Sequence, residues 1–168
     1  MLVLVQVLDE LVKAGRRRPS LVAISVTGVG SSIKHLPYMY KVSHCYISAL
    51  LDADPQLLLP WLLNQTIDDK RGVETILTHV AKHLPSEPDL PSPAVLDPAI
   101  LETITNGFLS EVLVVRAAQL KDTDGSIPLR TGEDVSTCST GRMELGKWIA
   151  RALEAKEKRM NRRVTVGF

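Results

Sequence analysis

Apolar residues recur at helical spacing in three segments of this chain, which cover residues 2–14, 69–83 and 142–155. Side chains three and four positions apart share one face of a helix, so each segment is predicted to be an amphipathic helix with one buried stripe. Gly15 follows the first segment as a helix stop, and Asp68 or Asp69 stands near the predicted start of the second. The stripes comprise Leu4, Leu8, Leu11 and Val12; Val73, Ile76, Leu77 and Val80; and Leu145, Trp148, Ile149, Ala152 and Leu153.

Three other segments, residues 21–26, 111–116 and 163–168, are short and mostly apolar or β-branched. A continuous apolar run is typical of a parallel strand, because such strands are buried on both faces. The second of these runs is the most informative, since it is apolar from Val112 to Val115 and carries Arg116 at its C-terminal end. Helices that alternate with such strands indicate an α/β fold, here predicted to be a partial Rossmann-like parallel sheet flanked by helices.

The segments between these elements are less regular. Two short helices are predicted over residues 43–52 and 55–63, with prolines limiting their length. Residues 84–98 contain five prolines, which predicts an extended loop or insertion. A short helix over residues 98–106 and a hairpin-like segment through Asp124-Gly125 are expected to follow. A length of 168 residues suits one domain, so residues 1–168 are interpreted as a single partial domain.

Composition excludes several classes of function. A formal net charge of +1 gives no electrostatic reason to expect nucleic acid or an anionic membrane as a partner. The basic runs at Arg16–Arg18 and residues 156–163 are interpreted as a solvated turn and a solvated helix end. Two cysteines define neither a disulfide framework nor a four-ligand metal site. The chain begins without a basic leader and contains no apolar run long enough to cross a bilayer, so a cytoplasmic location is expected.

Taken in order, several pieces of the chain resemble the C-terminal part of the atypical short-chain dehydrogenase/reductase family of the NmrA-like, NAD(P)H-binding type. They cover most of the chain outside the proline-rich loop, and none of them is highly specific by itself. The matching pieces are Ser25-Val26-Thr27-Gly28, Leu36-Pro37-Tyr38-Met39-Tyr40, Asp69-Lys70-Arg71-Gly72-Val73-Glu74, Val114-Val115-Arg116-Ala117-Ala118, Gly146-Lys147-Trp148-Ile149 and Arg163-Val164-Thr165-Val166-Gly167.

The resemblance implies NAD or NADP as cofactor, and either hydride transfer or cofactor sensing as function. It places Thr27, Gly28 and Val29 beside the nicotinamide, and it brings Lys70 to the nicotinamide ribose. Arg116 and the backbone of Ala117 and Ala118 would then border the nicotinamide or substrate pocket. From the residues alone, Lys70 is equally an exposed lysine, and Arg116 has either a functional or a structural role, because a buried arginine must find a partner.

The chain also departs from the family. A glycine-rich turn that would cradle the pyrophosphate is missing, because Gly28-Val29-Gly30 lacks the third glycine of the pattern. No Tyr-x-x-x-Lys pair is present either. The chain is therefore interpreted as a partial domain, which has either retained or lost the ability to bind the cofactor. The alternatives are a non-catalytic regulatory or protein-interaction module that pairs through an exposed sheet edge, and a truncated gene product.

Other reactive residues carry weaker hypotheses. His79 and His83 have the spacing of a zinc pair but no third ligand, so they are interpreted as solvent-facing histidines. Ser31, Ser32 and His35 lack an acidic residue at a recognisable spacing and are interpreted as loop residues. Cys45 lies in an apolar stretch and is expected to be a packed thiol.

Overall fold

The structure, a computed structural model, describes residues 1–26, 29, 59–86, 90–133, 135–155 and 160–168, and for 59–66 it describes the backbone. It contains both helices and a mostly parallel sheet, which confirms the predicted α/β class. In chain order they are α1 (Leu2–Lys13), β1 (Ser20–Val26), α2 (Leu59–Val80), α3 (Pro98–Glu102), β2 (Glu111–Ala117), β3 (Gln119–Lys121), β4 (Arg130–Gly132), β5 (Ser139–Gly141), α4 (Arg142–Glu154) and β6 (Arg162–Gly167).

The main sheet has the strand order β1-β2-β6-β4. Strands β1, β2 and β6 are mutually parallel, and β4 pairs antiparallel with β6 at one edge. A smaller two-stranded parallel sheet joins β3 to β5. The predicted parallel sheet flanked by helices is therefore confirmed, with one short antiparallel strand added to it.

Side chains alternate across the sheet and form two cores. On one face, Val112 and Val114 of β2 pack in a cluster with α1 and α2. On the other face, Leu113, Val115 and Ala117 pack with α4. Because both faces of β2 are covered, the whole strand is buried apart from its first residue, which explains why its sequence is continuously apolar.

The end of α1 and the start of α3 lie where the sequence indicates. α1 ends next to Gly15, which adopts a φ of +77°, and the Arg16 amide donates back to the Leu11 carbonyl. α3 begins after Asp97, whose carboxylate accepts a hydrogen bond from the Ala99 amide at 2.9 Å. These local signals are independent of tertiary packing, so they can be predicted from the sequence.

The middle of the chain corrects two predictions. Residues 59–80 form one continuous helix, so the division into helices over 55–63 and 69–83 was wrong. Pro60 lies in the first turn, where a missing amide costs no internal hydrogen bond, and does not break the helix. Asp68 and Asp69 consequently lie inside α2 rather than at its start, and Asp68 pairs with Arg71 at 3.0 Å. The helix predicted over 43–52 lies outside the described residues.

Two further predictions, both for the segment before β6, were wrong. α3 ends at Glu102, short of the predicted 106, and the chain turns through Gly107 with a φ of +65°. Residues 119–132 do not form a hairpin, because β3 pairs with β5 and β4 pairs with β6. The Asp124 carboxylate instead accepts two hydrogen bonds from Ser126 and makes a local turn.

The proline-rich segment contains no regular strand, and no helix before Pro98, within residues 84–86 and 90–98. This agrees with the predicted extended loop. Leu84 and Leu96 are buried in the core near its two ends, so the loop is attached at both sides. Within the described part of the chain, no helix combines the length and the apolar character that crossing a membrane requires.

Candidate functional site

The carboxyl ends of three parallel strands lie side by side at one edge of the sheet. Val26 at the end of β1 is in register with Ala117 of β2, and Ala117 is in register with Val166 of β6. This row of strand ends is called the carboxyl edge here. Ligands of open α/β sheets bind outside such an edge, so it is the first place to look for a site.

Several of the residues suggested by the family resemblance lie at this edge. Ala117 ends β2, Ala118 follows it, and Val29 is a buried residue three positions beyond the end of β1. Thr27 and Gly28 lie outside the described residues. Of the described members, Val29 and Ala117 are buried, and Ala118 is partly exposed, so Ala118 is the small apolar side chain that a ligand could reach.

The backbone after β2 is held in place by Thr140. Its hydroxyl accepts a hydrogen bond from the Ala118 amide at 3.1 Å and donates one to the Val166 carbonyl at 2.7 Å. This single side chain therefore connects β5 with the ends of β2 and β6. Because the Ala118 amide already has a partner, a ligand at this point would contact the side chain or the carbonyl.

A row of buried polar side chains crosses the sheet one position before its end. Ser25, Arg116 and Thr165 are register partners on neighbouring strands, and all three are buried. Polar groups in such a position must be hydrogen-bonded or pay for desolvation. The hydrogen-bond partners of these side chains therefore indicate whether the row has a structural role.

Arg116 is 2% exposed and forms an ion pair inside the protein. Its guanidinium donates from Nε to Glu74 Oε1 at 3.2 Å and from Nη2 to Glu74 Oε2 at 2.7 Å. This bidentate geometry is the strong form of the arginine–carboxylate interaction. The sequence leaves both a functional and a structural role open for Arg116. The structure shows a structural partner for it, Glu74. That Arg116 borders a cofactor pocket stays a prediction.

Arg163 joins the same carboxylate from the next strand. Its Nε lies 3.2 Å from Glu74 Oε2, its Nη1 donates to the Pro85 carbonyl at 2.5 Å, and its Nη2 donates to the Thr78 hydroxyl at 2.6 Å. Glu74, Arg116 and Arg163 are called the buried ion cluster. The cluster joins α2 to β2 and β6, and so fixes the helix over the carboxyl edge.

The sequence analysis did not single out Glu74 as a functional residue and did not anticipate the pairing. A signal was present, because Glu74 stands among the apolar stripe residues of its helix while Arg116 ends an apolar strand. Two isolated charges of opposite sign on core faces predict an ion pair, since either one alone would be costly to bury.

Ser25 is the second residue that sequence reasoning missed. It is 2% exposed, and no hydrogen-bond partner of its hydroxyl oxygen is found among the described residues. A buried hydroxyl without a partner is unusual in native proteins and needs an explanation. Ser25 is the residue before the last one of β1, so this hydroxyl lies close to the carboxyl edge.

Lys70 lies on α2 one turn before Glu74 and is half-buried. Within the described residues no hydrogen bond or ion pair of its ammonium group is found, so its assignment to a ribose stays a prediction. Its helix is nevertheless the one that the buried ion cluster holds against the sheet.

The loop after β3 is fixed by Glu144 near the start of α4. Its carboxylate accepts hydrogen bonds from the Thr123 hydroxyl and from the Ile127 amide, the latter at 3.2 Å. The hydrogen bond from Thr123 is the main cause of a lowered pKa of Glu144. Gly141 leaves room for this carboxylate, because a Cβ there would collide with Glu144 and Thr123.

The other reactive residues form no site in the described ranges. His79 is half-buried, and its Nε2 lies 3.0 Å from the Ile104 carbonyl, so the expectation that it faces solvent was wrong, whereas His83 is exposed as expected. No group of three metal-ligating side chains occurs among the described residues. Ser31, Ser32, His35 and Cys45 lie outside them.

Comparisons with known proteins give little further information. No protein-family model matches the chain, and no curated protein matches it. Among solved structures, the chain is similar to ChuY, an anaerobillin reductase from Escherichia coli O157:H7, with 14% sequence identity and a TM-score of 0.44. The similarity covers 97% of this chain and 55% of that protein, so the chain spans about half of its length.

Proposed function

We propose that this chain is an NAD(P)-binding, oxidoreductase-like protein of the NmrA type, with the nicotinamide end of the cofactor at the carboxyl edge. The observation that carries the proposal is the alignment of three parallel strand ends at that edge. The order of the sequence pieces that resemble the NmrA-like family supports it. A unit of this kind would bind NAD or NADP for hydride transfer or for sensing the cofactor.

The residues at the edge fit such a group in chemical type. Ala118, which is partly exposed, offers an apolar surface for the nicotinamide ring, and Ser25 offers a hydroxyl for which no partner is found in the described part of the chain. The cofactor, when bound, supplies a hydride acceptor or donor. Arg116 acts as a positioning residue in this proposal, because its guanidinium is held by Glu74 and keeps the end of β2 in place.

Recognition of the phosphates is the weak part of this site. The glycine-rich turn that places a pyrophosphate on a helix N-terminus does not occur in the sequence. We therefore expect weak binding, with a dissociation constant nearer to about 1 mM than to 1 µM, because contacts at one end of a dinucleotide supply only part of its binding energy.

Isothermal titration with NADPH and with NADH tests the proposal. We expect measurable binding of one or both, weakened by Ser25→Ala, which removes the hydroxyl, and by Ala118→Leu, which fills the edge. Ala155→Leu is the matched control, because Ala155 is an exposed residue that follows α4, and this variant should bind normally. Absence of binding of both nucleotides at millimolar concentration would refute the proposal.

A second candidate function is a protein-interaction module that pairs through β1. Within the described sheet β1 is an end strand with β2 as its neighbour, and its Ile24 side chain is 48% exposed. An end strand with an exposed apolar residue can accept another strand. Sedimentation velocity of the unchanged chain and of Ile24→Lys tests this function. Association that the substitution abolishes supports it, and a monomer at all concentrations argues against pairing between copies.

A further inference from the structure

The arginine-rich turn between α1 and β1 lines a cavity. The sequence analysis interpreted Arg16–Arg18 as a solvated turn, and all three side chains are indeed exposed. Arg17 and Arg18, however, border an open cavity of about 520 Å³ that Arg16 does not reach. Pro19, Ser20, Ser110 and Glu111 complete its lining.

This cavity lies at the amino ends of β1 and β2, at the opposite edge of the sheet from the proposed cofactor site. Ser20 and Glu111 are the first residues of the two strands and are register partners. The Ser20 hydroxyl donates a hydrogen bond to the Glu111 carboxylate. The strand pairing therefore fixes the floor of the cavity.

A second contact keeps Ser110 and Glu111 in place. Asn161, with a φ of +60°, donates from its side-chain amide to the Ser110 carbonyl at 2.9 Å. Its side-chain oxygen accepts the Val112 amide at 3.1 Å. One asparagine before β6 thus holds the backbone on both sides of Glu111.

The charges of the lining favour an anion. Neither Arg17 nor Arg18 forms an ion pair with any residue in the described part of the chain, and Glu111 is the acidic residue that borders the cavity. Two guanidinium groups against one carboxylate leave an excess of positive charge. A guanidinium presents a fork of donors that matches the oxygens of a phosphate group.

We propose that this cavity binds a small phosphomonoester whose body carries hydroxyl groups. Arg17 and Arg18 hold the phosphate, and the Glu111 carboxylate accepts a hydrogen bond from a hydroxyl of the ligand. The volume lies within the range of about 300–1,000 Å³ that is usual for small-molecule sites. This site is separate from the proposed cofactor site and does not depend on it.

Isothermal titration of the full chain with ribose 5-phosphate, inorganic phosphate and ribose tests the proposal. Ribose 5-phosphate is expected to bind best, because it offers both the phosphate and the hydroxyls. Inorganic phosphate should bind more weakly and ribose not measurably. Raising the salt concentration should weaken the binding of both phosphates, since the contacts are between charges near the surface.

Variants separate a built site from a merely basic surface. Arg17→Gln and Arg18→Gln should each weaken the binding of ribose 5-phosphate by about threefold to tenfold, which is the range for an exposed charge-assisted hydrogen bond. Arg16→Gln is the matched control, since it removes the same charge from the same turn outside the lining, and it should change the affinity less than twofold. Glu111→Gln keeps an acceptor for Ser20 and should strengthen inorganic phosphate binding while reducing the advantage of ribose 5-phosphate.

Two results would overturn the proposal. One is the absence of ribose 5-phosphate binding to the unchanged chain at millimolar concentration. The other is an equal loss of affinity in Arg16→Gln and Arg17→Gln, which would show attraction to a basic surface without a site. Neither result bears on the binding of NADPH or NADH at the carboxyl edge, so failure of this inference and failure of the proposed function are distinguishable.

Discussion

Substituting Glu74 by Gln should destabilise the protein more than any exposed change on the same helix. The carboxylate of Glu74 is the shared acceptor of Arg116 and Arg163, and all three side chains are buried. Glutamine has nearly the same shape, but it removes the negative charge and turns one acceptor atom into a donor that faces a guanidinium. The variant therefore tests the charge of the cluster with little change in packing.

The magnitude follows from the burial of the cluster. Removal of one partner from a buried ion pair costs about 3–5 kcal/mol, because the remaining charge stays in a poorly solvated place. Asp68→Asn is the matched control on the same helix, since the Asp68–Arg71 pair is about a quarter exposed on each side. Its loss should cost about 0.2–1 kcal/mol, because water reaches both side chains and screens the pair.

Urea denaturation followed by circular dichroism measures both values. Because a domain of this kind has about 5–15 kcal/mol of total stability, Glu74→Gln should stay folded at low temperature and unfold at a much lower urea concentration. Glu74→Asp provides a second measurement if the glutamine variant does not fold, since it keeps the charge and moves it by one carbon. A loss below about 1 kcal/mol in Glu74→Gln would refute the interpretation of the cluster as a structural ion pair.

Three further changes test other parts of the structure. Thr140→Val should cost about 1–3 kcal/mol, because it leaves a buried amide and a buried carbonyl without their common partner, as urea denaturation would show. Gly146→Ala should raise the stability of α4 by up to about 1 kcal/mol in the same assay, since a Cβ there meets nothing within 4 Å. The pKa of Asp9 is lowered because hydrogen bonds from Lys13 and Thr105 outweigh the effect of burial. Ionised Asp9 therefore contributes to the stability of the fold above about pH 4, and this contribution is lost as the pH falls through the pKa of Asp9 in the folded protein. Asp9→Asn should consequently flatten the acid limb of a profile of melting temperature against pH.

Controls for these predictions lie close by in the chain. Thr137→Val should leave stability nearly unchanged, because the buried Thr137 hydroxyl has no partner to lose in the part of the chain that the structure describes. Equal losses in Thr137→Val and Thr140→Val would contradict the assignment. Gly141→Ala should destabilise where Gly146→Ala stabilises, because its Cβ would displace Glu144. An unchanged acid limb in Asp9→Asn would show that the contact between α1 and Thr105 does not depend on ionisation.

Much of the fold could be predicted because its signals are local. Strands that are buried on both faces are continuously apolar, and the run ending at Arg116 forms the central strand β2 of the structure. The end of α1 near Gly15 and the start of α3 at Pro98 are determined by residues that act within one helical turn. The same locality caused the errors. From the sequence, Pro60 is interpreted as a helix break. Its effect depends on its position within the helix, and that position is determined by contacts further along the chain.

The pairing of short strands could not be predicted, because their partners are distant in sequence. Residues 119–121 carry no apolar pattern, and they become a strand by pairing with residues 139–141. Thr140 holds that pairing through Ala118 and Val166, a connection between three segments that no local pattern shows. The buried ion cluster has the same character, since its charges come from one helix and two strands.

The carboxyl edge therefore divides into a fixed part and an available part. The side chains of Arg116 and Thr140 are engaged with other protein groups, so substitutions of these two residues alter stability before they alter binding. The Ser25 hydroxyl is buried and has no partner within the described ranges, so its removal is expected to cost the fold little. A ligand-dependent effect of Ser25→Ala without a loss of stability is for this reason the clearest sign of a site at this edge. An Arg116 variant cannot give that sign, because the loss of its pairing with Glu74 would disturb the position of β2 whether or not a ligand binds there.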